Sequence, residues 1–368
     1  MLKSRLFLAA AAALTFASCE RDRNNNYTIP TTYNFSNVSY SGQTTRIAML
    51  TELIDLIEGA SVAQAPALDA TKLKDMYANQ NSQFTLAALN TSGKQLKDKT
   101  VSTEQDNIDA LLDAVALASQ STSSVASSGQ AGIATSNDGT KTYLLNANGV
   151  QLSEVIEKAI TGSCFYYQAT AVYLGAGKMD VDNETIVAGQ GTTMEHHWDE
   201  AFGYVGVPID FPINTTGIVF WGKYIDARNT LLATSGELMN AFLKGRAAIS
   251  NKDVATRDLM IPEIRRIWQK VAAATAVSYL NKAKNTLATD PALTHHALSE
   301  AYGFIWGLKF GGDNAMTAAQ VDALLALFAA SSNPLDANFY GTTAVQIQST
   351  IDAMIGYYPS LASVKDSL

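Results

Sequence analysis

Glu195–Gly206 reads Glu-His-His-Trp-Asp-Glu-Ala-Phe-Gly-Tyr-Val-Gly. The phrase returns between Thr294 and Gly307 as Thr-His-His-Ala-Leu-Ser-Glu-Ala-Tyr-Gly-Phe-Ile-Trp-Gly. Aligned on Glu200 and Glu300, both copies carry His, three residues, Glu, Ala, an aromatic, Gly and a second aromatic. All four histidines of the chain (His196, His197, His295, His296) fall inside these copies. Such self-similarity is the signature of an internal duplication, and it limits the fold to one that can hold the same unit twice.

Both copies predict helices. Neither contains an internal proline, and apolar residues recur at three- and four-residue steps. His196 and Glu200 are four apart, as are His296 and Glu300, so each pair shares a helix face. Gly203 and Gly303 lie about one turn beyond the glutamates on that face. A glycine inside a helix costs about 1 kcal/mol relative to alanine, and its usual compensation is close approach of a neighbour. Each copy therefore predicts a helix packed tightly on another, with His and Glu near the contact.

Elsewhere helical periodicity dominates. Ile47, Leu50, Leu53, Ile54 and Ile57 follow a capping Thr44 or Thr45, with Gly59 as the stop. Further helices are expected over 70–78, 103–119, 152–174, 220–232, 237–249, 263–287, 318–329 and 345–357. Pro262 is expected at the first turn of the helix over 263–287. Residues 120–140, rich in Ser, Gly, Thr and Asn, predict a loop over the surface. A long apolar helix precedes each His-His helix, so the repeated unit is larger than the motif. The expected fold is all-α, a duplicated helical bundle, with bundles over roughly 43–215 and 216–368.

The N-terminus predicts export. Lys3 and Arg5 precede an apolar run, Leu6 to Phe16, that ends in Phe16-Ala17-Ser18-Cys19. That run is a secretory signal, too short for a membrane-spanning helix. A Cys after small residues at its end matches a bacterial lipobox, so residues 1–18 would be removed and Cys19 lipidated, with residues 19–42 as a polar tether. The expected location is the cell envelope, as an outer-membrane lipoprotein on its periplasmic or surface face. Cys164 would then be the one thiol left, a small buried hydrophobe. The net charge is −8, and −10 without Lys3 and Arg5. With no basic cluster interleaved by aromatics, nucleic acid is excluded as a partner. The membrane, through Cys19, and an envelope transport partner are the expected contacts.

Three uses of the repeated pairs compete. The first is a hydrogen-bonded pair that locks two helices. The second is a metal or ligand site on His196, His197, Glu200, His296 and Glu300, since imidazole and carboxylate suit iron, zinc or another divalent transition metal. If the copies meet near a pseudo-two-fold axis, His196, Glu200, His296 and Glu300 would supply four ligands; two separated sites fit equally well. The third is acid–base chemistry by His197 and Glu200. No His-Glu-x-x-His helix and no local nucleophile signature accompanies them, so binding is expected over catalysis. The acidic turn Asp180, Asp182, Asn183 and Glu184 offers oxygen ligands to calcium without EF-hand spacing, and reads first as a solvated turn.

Together, the lipobox, Ser41-Gly42-Gln43-Thr44-Thr45-Arg46, Lys178-Met179-Asp180-Val181-Asp182-Asn183, the phrase Glu195 to Tyr204 and Phe220-Trp221-Gly222-Lys223-Tyr224 resemble an uncharacterised family of exported bacterial lipoproteins. That family is similar to the imelysin-like proteins, which are all-helical, built of two bundles and linked to iron uptake. Their signature is Gly, any residue, His, two residues, Glu. His197 and Glu200 match its second half, while Glu195 stands at the glycine position. The resemblance implies a helical envelope lipoprotein with a role in iron acquisition, and, as an alternative, a metal-assisted hydrolase of the imelysin-like peptidase kind.

Overall fold

The computed structural model describes residues 27–368. The leader over 1–18, the lipidation residue Cys19 and the first part of the tether lie outside the described residues. Helices follow one another as α1 Ser41–Glu58, α2 Ala70–Ala78, α3 Ala87–Asn90 and α4 Gln105–Ser119. A hairpin of β1 Gly132–Thr135 and β2 Thr142–Leu145 comes next. Then come α5 Leu152–Ile160, α6 Ala176–Met179, α7 Thr193–Gly203, α8 Trp221–Leu232, α9 Thr234–Ser250, α10 Val254–Thr286, α11 Pro291–Gly307, α12 Ala318–Ala329 and α13 Ala344–Tyr357. The class is all-α, as the periodicity implied. From Thr161 to Tyr173, α5 continues without a break in the wider π winding, so one rod runs from Leu152 to Tyr173.

The buried stripe of α10 explains the arrangement. Ile264, Ile267, Trp268, Val271, Val277 and Leu280 are fully buried, because α10 is wrapped by α8, α9, α11 and α13. α5 lies against α11, α4 and α1. One hydrophobic cluster extends from Tyr33 to Leu361 and draws on both halves of the chain. The packing thus runs across residue 215. Cys164 is fully buried within this cluster, and burial pushes its thiol up to about 12.

Several local expectations need correction. α1 begins at Ser41, ahead of Thr44 and Thr45, whose hydroxyls donate back to the Ser41 carbonyl at 2.9 and 2.8 Å and so cap nothing. Part of the surface loop after α4 is the β1–β2 hairpin, paired in register from Gly132↔Leu145 to Thr135↔Thr142. Its turn uses Asp138-Gly139, with Gly139 at φ +70°, a conformation that glycine adopts without steric cost. Pro262 lies within α10. Asp253 caps the helix two turns earlier, accepting from Thr256 N at 3.0 Å, so the proline interrupts a helix already under way. Among the described residues, no helix is long and apolar enough to cross a membrane.

Candidate functional site

The two glycines do what the repeat implied. A Cβ on Gly203 would lie 2.7 Å from Tyr40 Cβ and 2.9 Å from Gln43 Cβ, so its absence lets α7 close onto the start of α1. A Cβ on Gly303 would lie 2.5 Å from Lys158 Cβ, so the same device seats α11 on α5. On each partner helix, the residue under the glycine also reaches the glutamate one turn back. Gln43 Nε2 donates to Glu200 Oε1 at 3.0 Å. Lys158 Nζ lies 2.8 Å from Glu300 Oε2.

At α7, the pair is open. His196 Nε2 stands 3.9 Å from Glu200 Oε2, and both side chains are partly exposed. They line a polar cavity of about 220 Å³ with Tyr40, Gln43, Arg46, Lys94, Lys99 and Tyr173 among its walls. Gln43 Nε2 also reaches the Tyr173 hydroxyl at 3.4 Å. Burial, and then the Glu200 charge, raise the Tyr173 phenol. His196 Nδ1 is buried without a hydrogen-bond partner.

His197 is already committed. Its Nδ1 meets the Lys178 carbonyl at 2.8 Å, and its Nε2 lies 3.4 Å from Lys178 Nζ. A carbonyl only accepts and an ammonium only donates, so the ring is neutral with its proton on Nδ1. Burial, helped by the Lys178 charge, lowers its pKa in keeping with that state.

The rest of the first motif builds the scaffold. Glu195 forms a capping box with Thr192 and accepts from Arg246 at 2.6 Å. Asp199 Oδ1 accepts from Arg246 Nε and from the Tyr33 hydroxyl, both at 2.8 Å. Its other oxygen has no partner, and burial lifts Asp199 to about 6 despite Arg246. Trp198 Nε1 donates to the Phe242 carbonyl at 3.1 Å. Glu195 therefore has a structural use at the position where the imelysin-like signature has glycine.

At α11, the glutamate is sealed: Glu300 is 6 % exposed, whereas His296 keeps 25 % exposure, close to the 27 % of His196. Lys158, 2 % exposed, is ringed by Glu154, Glu157 at 3.0 Å and Glu300 at 2.8 Å. Burial opposes its charge, but the three carboxylates overrule this and hold its pKa well above the usual lysine range. Two of those carboxylates titrate apart. Burial and the neighbouring Glu154 raise Glu300 well above the carboxylate range, against the pull of Lys158. Lys158 and His296 outweigh burial at Glu154 and lower it. His296 Nδ1 donates to Gln151 Oε1 at 2.9 Å, its Nε2 is 4.0 Å from Glu300 Oε1, and Tyr143 of β2 stacks on its ring at 4.7 Å. His295, beside it, donates to the Gly149 carbonyl at 2.7 Å and packs on Tyr340.

The two pairs do not share a ligand set. Glu154, in the α11 cluster, and Tyr173, in the α7 cavity, sit at opposite ends of one helical rod, roughly 25–30 Å apart along its axis. Among the described residues, only Glu154, His296 and Glu300 bring three metal-capable side chains together, with ligand atoms within 4.8 Å of one another. The acidic turn gathers no such group. Asp182 accepts from Glu184 N and Thr185 N, Asn183 bonds Ile249 O and Thr192, and Glu184 pairs with Lys252.

Residues 30–356 match a family of domains described as a domain of unknown function, DUF4856. The chain belongs to the DUF4856 family. No curated protein and no solved structure matches it. In this DUF4856 chain, the motif residues divide into scaffold (Glu195, His197, Trp198, Asp199, His295), a closed ion cluster (His296, Glu300) and an open pair (His196, Glu200). The partners that decide this division, Gln43, Arg46, Glu154 and Lys158, carry no motif of their own. Gln43 and Arg46 stand in a stretch singled out for its resemblance, but nothing in the sequence couples them to a glutamate over 150 positions away.

Proposed function

We propose that this protein is an envelope-anchored binding lipoprotein, tethered through Cys19, whose working site is the α7 pair His196 and Glu200. The observation that carries this reading is the contrast between the two glutamates, Glu200 at 18 % exposure and Glu300 at 6 %. His196 and Glu200 line a solvent-connected polar cavity, with one imidazole nitrogen lacking a partner. His296 and Glu300 are packed around an internal ammonium. The α11 pair is on this reading the structural member, and an internal duplication supplied both.

The donor set bears on a metal. With His197 held by Lys178, the α7 cavity offers one imidazole and one carboxylate. Catalytic zinc sites use three protein ligands, so a transition metal here would need its remaining ligands from a bound molecule. A small ligand, with or without a metal, fits this site better than a resident ion does. The resemblance to imelysin-like proteins supports iron acquisition as the process. Binding is preferred to hydrolysis because, among the described residues, neither Ser39 nor Ser41 of the cavity wall is hydrogen-bonded to His196.

A second reading has its own observation. The close approach of Glu154, His296 and Glu300 is a ligand set for a divalent cation, but Lys158 already supplies positive charge to two of the three. Metal analysis of protein purified without chelator, on the parent and on His196→Ala and His296→Ala, separates the readings. Under the α7 reading, any bound metal or small molecule disappears with His196→Ala. Loss only with His296→Ala moves the site to α11. A protein that carries no ligand, and whose thermal unfolding responds to no metal or metabolite in a screen, would refute the proposal.

A further inference from the structure

We infer that the α7 cavity takes a small hydroxylated oxyanion, a molecule presenting carboxylate or phosphate oxygens together with a hydroxyl. This rests on the reading of α7 as the binding site and specifies its ligand class. The chain is acidic, at net −8, so a cation-rich cavity runs against its composition. Yet the cavity wall holds Arg46, Lys94 and Lys99 against the single carboxylate of Glu200.

The cations are of two kinds. Arg46 is fixed: it is 4 % exposed, its Nε donates to the Gln95 carbonyl at 2.7 Å, and its outer nitrogens reach the Gly42 carbonyl and Asp98. Its charge is therefore already in position before any ligand arrives. Among the described residues, Lys94 and Lys99 have no ion-pair partner, and Lys94 lies over Gly42 in the first turn of α1.

Backbone and imidazole add donors. Ser41 and Gly42 line the cavity at the start of an 18-residue helix whose N-cap, Tyr40, makes no side-chain capping bond. The unmet N–H groups and dipole of such a helix end favour an anion. The partly exposed His196 side chain also lines the cavity. Glu200, satisfied on one oxygen by Gln43, can accept from a hydroxyl on its other side, which selects a hydroxylated anion over a bare one. At about 220 Å³, the cavity lies below the roughly 300–1,000 Å³ usual for drug-sized ligands, so a compact metabolite fits and a peptide does not.

Isothermal titration of the mature chain with citrate, glucose 6-phosphate and inorganic phosphate, at low and high salt, tests this. The expected result is a Kd tighter than about 100 µM for citrate or glucose 6-phosphate, at least tenfold weaker for inorganic phosphate, and weakening with salt. The arm that binds tells carboxylate from phosphate chemistry. Lys94→Gln combined with Lys99→Gln, on exposed or half-exposed positions, should leave the circular dichroism unchanged and weaken binding at least tenfold. Binding of none of the three probes, or equal binding to this double variant, overturns the inference. A neutral or cationic molecule whose binding is lost in His196→Gln would overturn the anion class while leaving the α7 site standing. If no binding of any molecule responds to His196→Gln, both readings fall.

Discussion

The α7 and α11 pairs share a motif and a packing device, yet differ in the single side chain that answers the glutamate. Under Gly203 the partner is Gln43, a neutral amide that satisfies one oxygen of Glu200 without drawing in further carboxylates. Under Gly303 it is Lys158, an ammonium that draws in Glu154 and Glu157 as well. An ammonium within a ring of carboxylates makes an internally paired cluster. An amide in the same position leaves room for something from outside beside the cations of the cavity wall. The hairpin adds a second difference: Tyr143 stacks on His296, whereas His196 lines the cavity.

The largest expected effect comes from removing the ammonium. Lys158→Met leaves buried carboxylates facing one another and should cost about 3–5 kcal/mol at pH 7. Gln43→Met, the matching change at α7, removes one hydrogen-bond donor and should cost about 1 kcal/mol. Urea unfolding of the two variants measures this gap, and equal losses would erase the distinction between the sites. Next come the glycines. Gly203→Ala and Gly303→Ala force a methyl into contacts shorter than van der Waals distance, and each should cost about 1–3 kcal/mol.

The pH response sharpens the comparison further. Glu300 binds its proton more tightly folded than unfolded. That contribution is fully present below the ordinary glutamate range and is lost as pH rises through the folded value. Glu154, held low, contributes above the ordinary range and loses it as pH falls through its folded value. Glu300→Gln mimics the protonated form, so it should gain on the order of 1 kcal/mol over the parent at pH 8 and little at pH 5, read from unfolding curves at the two pH values. The smallest effect is expected for His196→Gln, within about 0.5 kcal/mol of the parent by the same method. His296→Gln, which loosens the Gln151 bond and the Tyr143 stack, should cost about 1 kcal/mol.

Much of the helical body was legible because periodicity is local. Ala70–Ala78 and Ala318–Ala329 fall where the apolar spacing put them. The close approach at Gly203 and Gly303 was legible too, since a glycine within a helical pattern demands a reason. The hairpin was missed because its strands are four residues each and sit in a polar stretch, with Asp138-Gly139 the only clear turn signal. Pro262 was misread because proline at a first turn is the commoner arrangement, and the Asp253 cap that overrides it lies two turns upstream.

The site was half legible. His196, Glu200, His296 and Glu300 stood out by repetition, but their environments depend on Gln43, Arg46, Lys94 and Lys158, which come from other helices and loops. A lysine on a helix reads from sequence as a solvated charge. Only the fold shows that Lys158 is enclosed while Lys94 and Lys99 face a cavity.

One titration bears most directly on the claim that the repeated pair binds a ligand at α7 and holds an internal ion cluster at α11. The tighter of the citrate and glucose 6-phosphate probes is added in parallel to His196→Gln and His296→Gln, each first shown to be folded. The expected result is at least tenfold weaker binding for His196→Gln and binding within twofold of the parent for His296→Gln. Loss of binding in His296→Gln with His196→Gln unaffected would contradict it.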